Sequence, residues 1–155
     1  MATHAAPVPS LNRTTAIATT HCLLGCGIGE VLGFVIATAL GWGNVGSIAL
    51  AVALAFPFGY AFTLWPLLRA GLTVVSALGL VVVADTIAIA IMEAVDNAIV
   101  VAIPGALDAG LSDFLFWWSL AAGLAVAWIV VFPVNRWLIG RGLGHALAHK
   151  HMGHH

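Results

Sequence analysis

Residues 19–33 read TTHCLLGCGIGEVLG, which sets a histidine, two cysteines and a glutamate inside an otherwise apolar run. Sulfur and imidazole ligate soft and borderline metal ions, and a carboxylate can hold a cation or a proton. On a helix, at about 100° per residue, Cys22, Cys26 and Glu30 form one ridge about 80° wide, each one turn from the next. His21 falls on the opposite side from Glu30. Gly25, Gly29 and Gly33 make a neighbouring ridge, a doubled small-xxx-small pattern that admits another helix at close range. The polar ridge therefore borders a helix-contact seam.

A second set of such groups lies further along. Asp85, Met92 and Asp96 share a sector about 40° wide on one helix, with Glu93 about 80° from Asp85. With spans placed by hydropathy, Glu30 and Asp85 are expected at one depth near the membrane midplane, as a relay that Glu93 and Asp96 extend outward. A carboxylate there is costly unless it is paired, protonated or hydrated. Plainer roles exist for the others. Cysteine is often a small packing residue and methionine a gap-filler, His21 can bond backbone or water, and Glu93 and Asp96 can be solvated near an interface.

The tail, GHALAHKHMGHH (residues 144–155), adds His145 and His149 at i and i+4, followed by His151, Met152, His154 and His155. Histidines so spaced chelate one transition-metal ion. The candidate metal ligands are thus His21, Cys22, Cys26, Met92, His145 and His149. Copper(I) suits an incomplete sulfur and imidazole set better than zinc, which takes four ligands. A soluble metal carrier would be a natural partner for the tail. Haem is disfavoured because His21 alone lies within a span.

The elements that must position these groups follow from composition. Of 155 residues, 62% are hydrophobic and 7% charged, against about 25% charged in a soluble domain. An all-α, polytopic membrane protein with a bundle of four transmembrane helices is expected, with spans near Thr15–Leu40, Val45–Leu68, Leu72–Val95 and Asp113–Val134. Residues 1–14 and 141–155 would be a cytoplasmic lead and tail flanking a transmembrane domain over 15–140. Ile99–Ile103 reads as a re-entrant or surface piece. Arg13, Arg69, Arg136, Arg141 and Lys150 all fall on one side, which predicts N-in and C-in topology. Cys26 resembles a lipoprotein acceptor, but Thr19, Thr20 and His21 interrupt the apolar run such a signal needs. Cys22 and Cys26, one turn apart, read as free thiols, since a bridge there would be strained. No nucleophile with a base and oxyanion donors is legible, so no catalytic residues are assigned, and no basic patch suggests nucleic acid.

HCLLGCGIGEVLG together with FPVNRWLIGRGLGHALAH resembles the small bacterial and archaeal membrane proteins grouped as domain of unknown function 4396. That family is marked by a His-Cys, Gly-Cys, Gly-Glu first helix and an Asn-Arg, Arg-Gly, Gly-His ending with a His-rich tail. The resemblance spans about residues 15–151 and implies a four-span protein of a bacterial or archaeal cytoplasmic membrane with a native tail. It assigns no function and no site residues. Three readings stay open: a copper(I) channel or transporter, a proton-coupled or small-solute carrier using Glu30 and Asp85, and a non-transporting subunit that assembles or metallates a larger complex. Four helices are few to enclose a private path, so a homo-oligomer is expected.

Overall fold

The computed structural model describes residues 10–142. They form α1 (Leu11–Ala39), α2 (Asn44–Arg69), α3 (Val74–Ala102) and α4 (Phe114–Gly140), with a single 3-10 turn, Ala106–Asp108, between α3 and α4. Each of the four helices is long and apolar enough to cross a membrane, and no strand occurs among the described residues. The chain runs up, down, up and down. α1 packs beside α2 and α4, α3 packs beside the same two, and α1 and α3 face each other across the diagonal. The start of α1, the end of α4 and the α2–α3 turn share one end of the bundle, the terminal end. The α1–α2 turn and the α3–α4 connection form the other, the loop end.

Helix limits follow local chemistry. The Ser10 hydroxyl accepts from the Arg13 N–H at 3.3 Å and the Thr73 hydroxyl from the Ser76 N–H at 3.3 Å, capping α1 and α3. Gly41 and Gly71 turn the chain with φ of 70° and 92°. The helices overrun the apolar windows that hydropathy marks. α1 starts a turn before Thr15, and α4 continues past Val134 because Asn135, Leu138 and Ile139 are buried against the bundle. The segment Ile99–Ile103, expected to stand apart, begins as the last turn of α3. The helix stops where Pro104 and Gly105, at φ 80°, end it.

Small residues bring α1 and α2 together. A Cβ at Gly25 would lie 2.6 Å from the Phe58 carbonyl oxygen and one at Gly29 2.5 Å from that of Leu54, while Gly33 abuts Ala51 in the same way. The opposing face of α2 is a ladder, at four-residue spacing, of Ser47, Ala51, Ala55, Gly59 and Thr63, all buried, which lets the two backbones touch. α4 repeats the device with Ser119, Gly123, Ala127, Val131 and Asn135. The expected glycine seam is therefore real, and it is filled by α2 of the same chain.

Charge and aromatic residues divide by end. Arg13, Arg69, Arg136 and Arg141 gather at the terminal end, where Arg69 lies over Trp65 at 5.0 Å and Arg141 over Trp137 at 4.4 Å. Asp108 and Asp113 lie at the loop end with exposed Trp42, Trp117 and Trp118. Such rings mark membrane–water boundaries.

Candidate functional site

Two polar layers interrupt the apolar interior, separated by sulfur. The layer nearer the loop end comes from the diagonal pair α1 and α3. Glu30 is 1% exposed and Asp96 2%, and their carboxyl groups lie close enough to share a hydrogen bond. Glu93 is buried beside both. The Asn97 amide donates to the Glu93 carbonyl at 2.8 Å. Glu30 Oε2 and Asp96 Oδ1 have no hydrogen-bond partner. Room for Asp96 is made by Gly123 of α4, where a Cβ would collide with its carboxyl group.

Above this layer the loop end opens into a cavity of about 350 Å³ that reaches down to Asp96. Phe34 and Phe116 form its lower wall, edge to face at 5.3 Å. Trp42, Asn44 and Asp108 line it towards the α1–α2 turn and the α3–α4 connection. Asn44 Nδ2 donates to Asp108 Oδ1 at 3.1 Å, tying the α3–α4 connection to the start of α2.

Below the acids, Cys22, Cys26 and Met92 share one buried cluster with Ile89, Ala88 and Val131. The two thiols are free and lie next to each other. Ile89 and Cys26 press on Gly59 of α2, where only a hydrogen fits.

The second polar layer lies nearer the terminal end. Asp85 lies beside Thr63 of α2. It also borders, with Cys22 and Asn135, a void of about 10 Å³. Asn135 Nδ2 donates to Thr19 Oγ1 at 3.0 Å, and nearby Arg136 Nε donates to Asn12 at 2.7 Å. Polar contacts thus join α1 and α4 where small residues do not.

This arrangement revises several sequence expectations. Glu30 and Asp85 do not pair. Gly25 stands midway along α1 and Ala88 midway along α3, so the two acids lie on opposite sides of the bundle's middle. Depth estimated from apolar windows fails because α1 begins earlier, and α3 begins and ends later, than those windows. Glu30 pairs instead with Asp96, which together with Glu93 is buried and not solvated at an interface. His21 lies in a groove with Ala16, Ile17, Thr20 and Leu24, all of its own helix, and so is not placed to complete a site with the cysteines. Among the described residues, no three His, Cys, Asp or Glu side chains converge as a metal-holding group. Met92, by contrast, does join Cys22 and Cys26. His145 and His149 lie outside the described residues.

Thr63, Asn135, Thr19 and the cavity were not singled out from sequence. A signal existed for the first two: each continues a ladder of small residues at four-residue spacing, where a polar group must face the bundle. Nothing local marks the cavity, which requires the α3–α4 connection to fold back over α1 and α2.

The fold and its interior define a four-helix membrane protein whose buried acids meet an open mouth. The chain belongs to the family described as domain of unknown function (DUF4396), whose model matches residues 11–144. No curated protein matches it, nor does any solved structure.

Proposed function

We propose that the protein carries a cation across the membrane in exchange for protons, with the Glu30–Asp96 pair as the exchange site. The observation that carries this reading is Asp96 itself: buried beside a second carboxyl group, yet lining an open cavity. A hydrogen bond between two carboxyl groups holds one proton between them. A cation arriving beside Asp96 supplies the positive charge that the proton supplied, and the proton is released. Glu93 offers the next acidic position. Asp85, with Thr63 and the small void, is a further station beyond the sulfur cluster, so the relay uses both layers in series.

The arginines at the terminal end support N-in and C-in topology in a bacterial or archaeal cytoplasmic membrane, with the cavity facing outward. The narrow interior of four helices supports assembly as a homo-oligomer.

A second reading has its own observation. Cys22, Cys26 and Met92 lie together one layer below the acids, and three sulfurs favour copper(I). Copper(I) would then be the transported cation, with a soluble metal carrier and the histidine tail exchanging it at the cytoplasmic end. Copper(I) competition against a chelator tests this: Cys22→Ser and Cys26→Ser should each weaken binding, and equal affinity in all three proteins removes the cysteines from the account.

The exchange itself is tested in proteoliposomes enclosing a pH-sensitive dye, with an inward gradient of copper(I) or of choline imposed in separate runs. At least one gradient should drive protons out through the wild type and not through Asp96→Asn. Equal dye responses in wild type, variant and empty vesicles contradict the reading.

A further inference from the structure

The loop-end cavity is much larger than one ion needs. Its volume of about 350 Å³ falls within the range of small-molecule sites, about 300–1,000 Å³. At about 30 Å³ per water-sized group, it holds roughly ten non-hydrogen atoms. Its lining has one sign of charge. Asp96 closes the floor and Asp108 lines the side formed by the α3–α4 connection, and no Lys, Arg or His lines it among the described residues.

The walls add a second feature. Phe34, Phe116 and Trp42 all line the cavity. Ring faces attract cations, most strongly for tryptophan and most of all where water is excluded. A bare metal ion makes no use of such walls, because it is held by converging oxygen, nitrogen or sulfur atoms. A neutral solute would offer no charge partner to the buried acid, Asp96, that the cavity reaches. Ser119, buried at the same depth on α4, already bonds its hydroxyl back to the Phe116 carbonyl at 2.9 Å, so it does not compete for Asp96.

We infer that this cavity is a binding site for a small organic cation, an amine or quaternary ammonium of about ten non-hydrogen atoms or fewer, with its charge against Asp96 and its carbon surface against Phe34, Phe116 and Trp42. The inference rests on the exchange reading only for the release of a proton after binding, and the site stands on the cavity alone. Asp108, held by Asn44, gives the approach to the site the same sign of charge as its floor and draws cations towards it.

The test is equilibrium binding of radiolabelled choline to the full chain in nanodiscs, with competition by unlabelled choline and by its neutral carbon isostere, dimethylbutanol. Choline should bind saturably and the isostere should not displace it at matched concentration. Asp96→Asn should weaken choline by about tenfold or more, the scale of a lost charged partner, and Phe116→Leu by a few-fold. Gly79→Ala, on an open helix surface, should bind as wild type does. Both site variants should retain the wild-type elution position. Should Asp96→Asn fail to do so, Phe116→Leu carries the comparison. No saturable binding, or equal displacement by the isostere, overturns the site. If choline does not bind but copper(I) still drives proton exchange, the substrate class is wrong and the exchange reading stands. If choline binds but neither gradient moves protons, the site stands and the exchange reading falls.

Discussion

Glu30 of α1 and Asp96 of α3 meet carboxyl to carboxyl across the diagonal of the bundle, both almost wholly buried. No Lys, Arg or His contributes to this contact among the described residues. Helices on a diagonal touch little, so the pair is the main polar link between α1 and α3. Substitutions at Glu30 should separate shape from charge. Glu30→Gln keeps the size and can donate to Asp96, so it should fold with a stability change within about 1 kcal/mol and lose proton exchange. Glu30→Lys places a longer, fixed charge in the same packed interior and should give little folded protein. Detergent sizing and thermal melting of both variants measure the difference.

The seam between α1 and α2 predicts a sharp contrast between two glycines. At Gly29 a Cβ would meet the Leu54 carbonyl at 2.5 Å, whereas at Gly79 on α3 it would meet nothing within 4 Å. Gly29→Ala should cost about 1–3 kcal/mol, as overpacking does. Gly79→Ala should be neutral or stabilising by up to about 1 kcal/mol from helix propensity. Gly29→Leu should still insert, because leucine is favoured in lipid, but should fail to form the close pair. Thermal denaturation in one detergent ranks all three.

Much of the fold was legible because its causes are local. The glycine ridge of α1, the turns at Gly41 and Gly71, and the split of arginines from aspartates can each be read from residue type and spacing. The candidate site was legible in membership more than in pairing. Glu30, Asp85, Glu93, Asp96, Cys22, Cys26 and Met92 do all face the interior. Which acid meets which depends on the relative sliding of α1 and α3, and that is set by α2 and α4 between them. Hydropathy misses about a turn at the start of α1 and about two at the end of α3, enough to exchange Asp96 for Asp85. The cavity was beyond sequence reasoning because its wall is irregular chain that the Asn44–Asp108 hydrogen bond ties across to α2.

Where α1 meets α4, side-chain hydrogen bonds replace close backbone approach. A double-mutant cycle of Thr19→Val and Asn135→Ala should return a coupling of about 0.6–1.7 kcal/mol, the span found for polar pairs between membrane helices. A coupling near zero would mean that the 3.0 Å contact adds nothing to stability.

Cys22 and Cys26 are both buried, 3% and 0% exposed. In the folded protein they should resist a polar maleimide and react fully after denaturation. The background is then silent, so a single Asp108→Cys can report topology. It should label from outside intact cells with a membrane-impermeant reagent, and labelling only after lysis would reverse the proposed orientation.

The central claim is that a cation displaces a proton held between Glu30 and Asp96. Infrared difference spectroscopy of the protein in lipid, with and without copper(I) or choline, observes that proton directly through the carboxyl C=O stretch. The account predicts that at least one cation abolishes a protonated-carboxyl band in the wild type, and that neither Glu30→Gln nor Asp96→Asn gives that loss. An identical loss in both variants, or no change in the wild type with either cation, would contradict it.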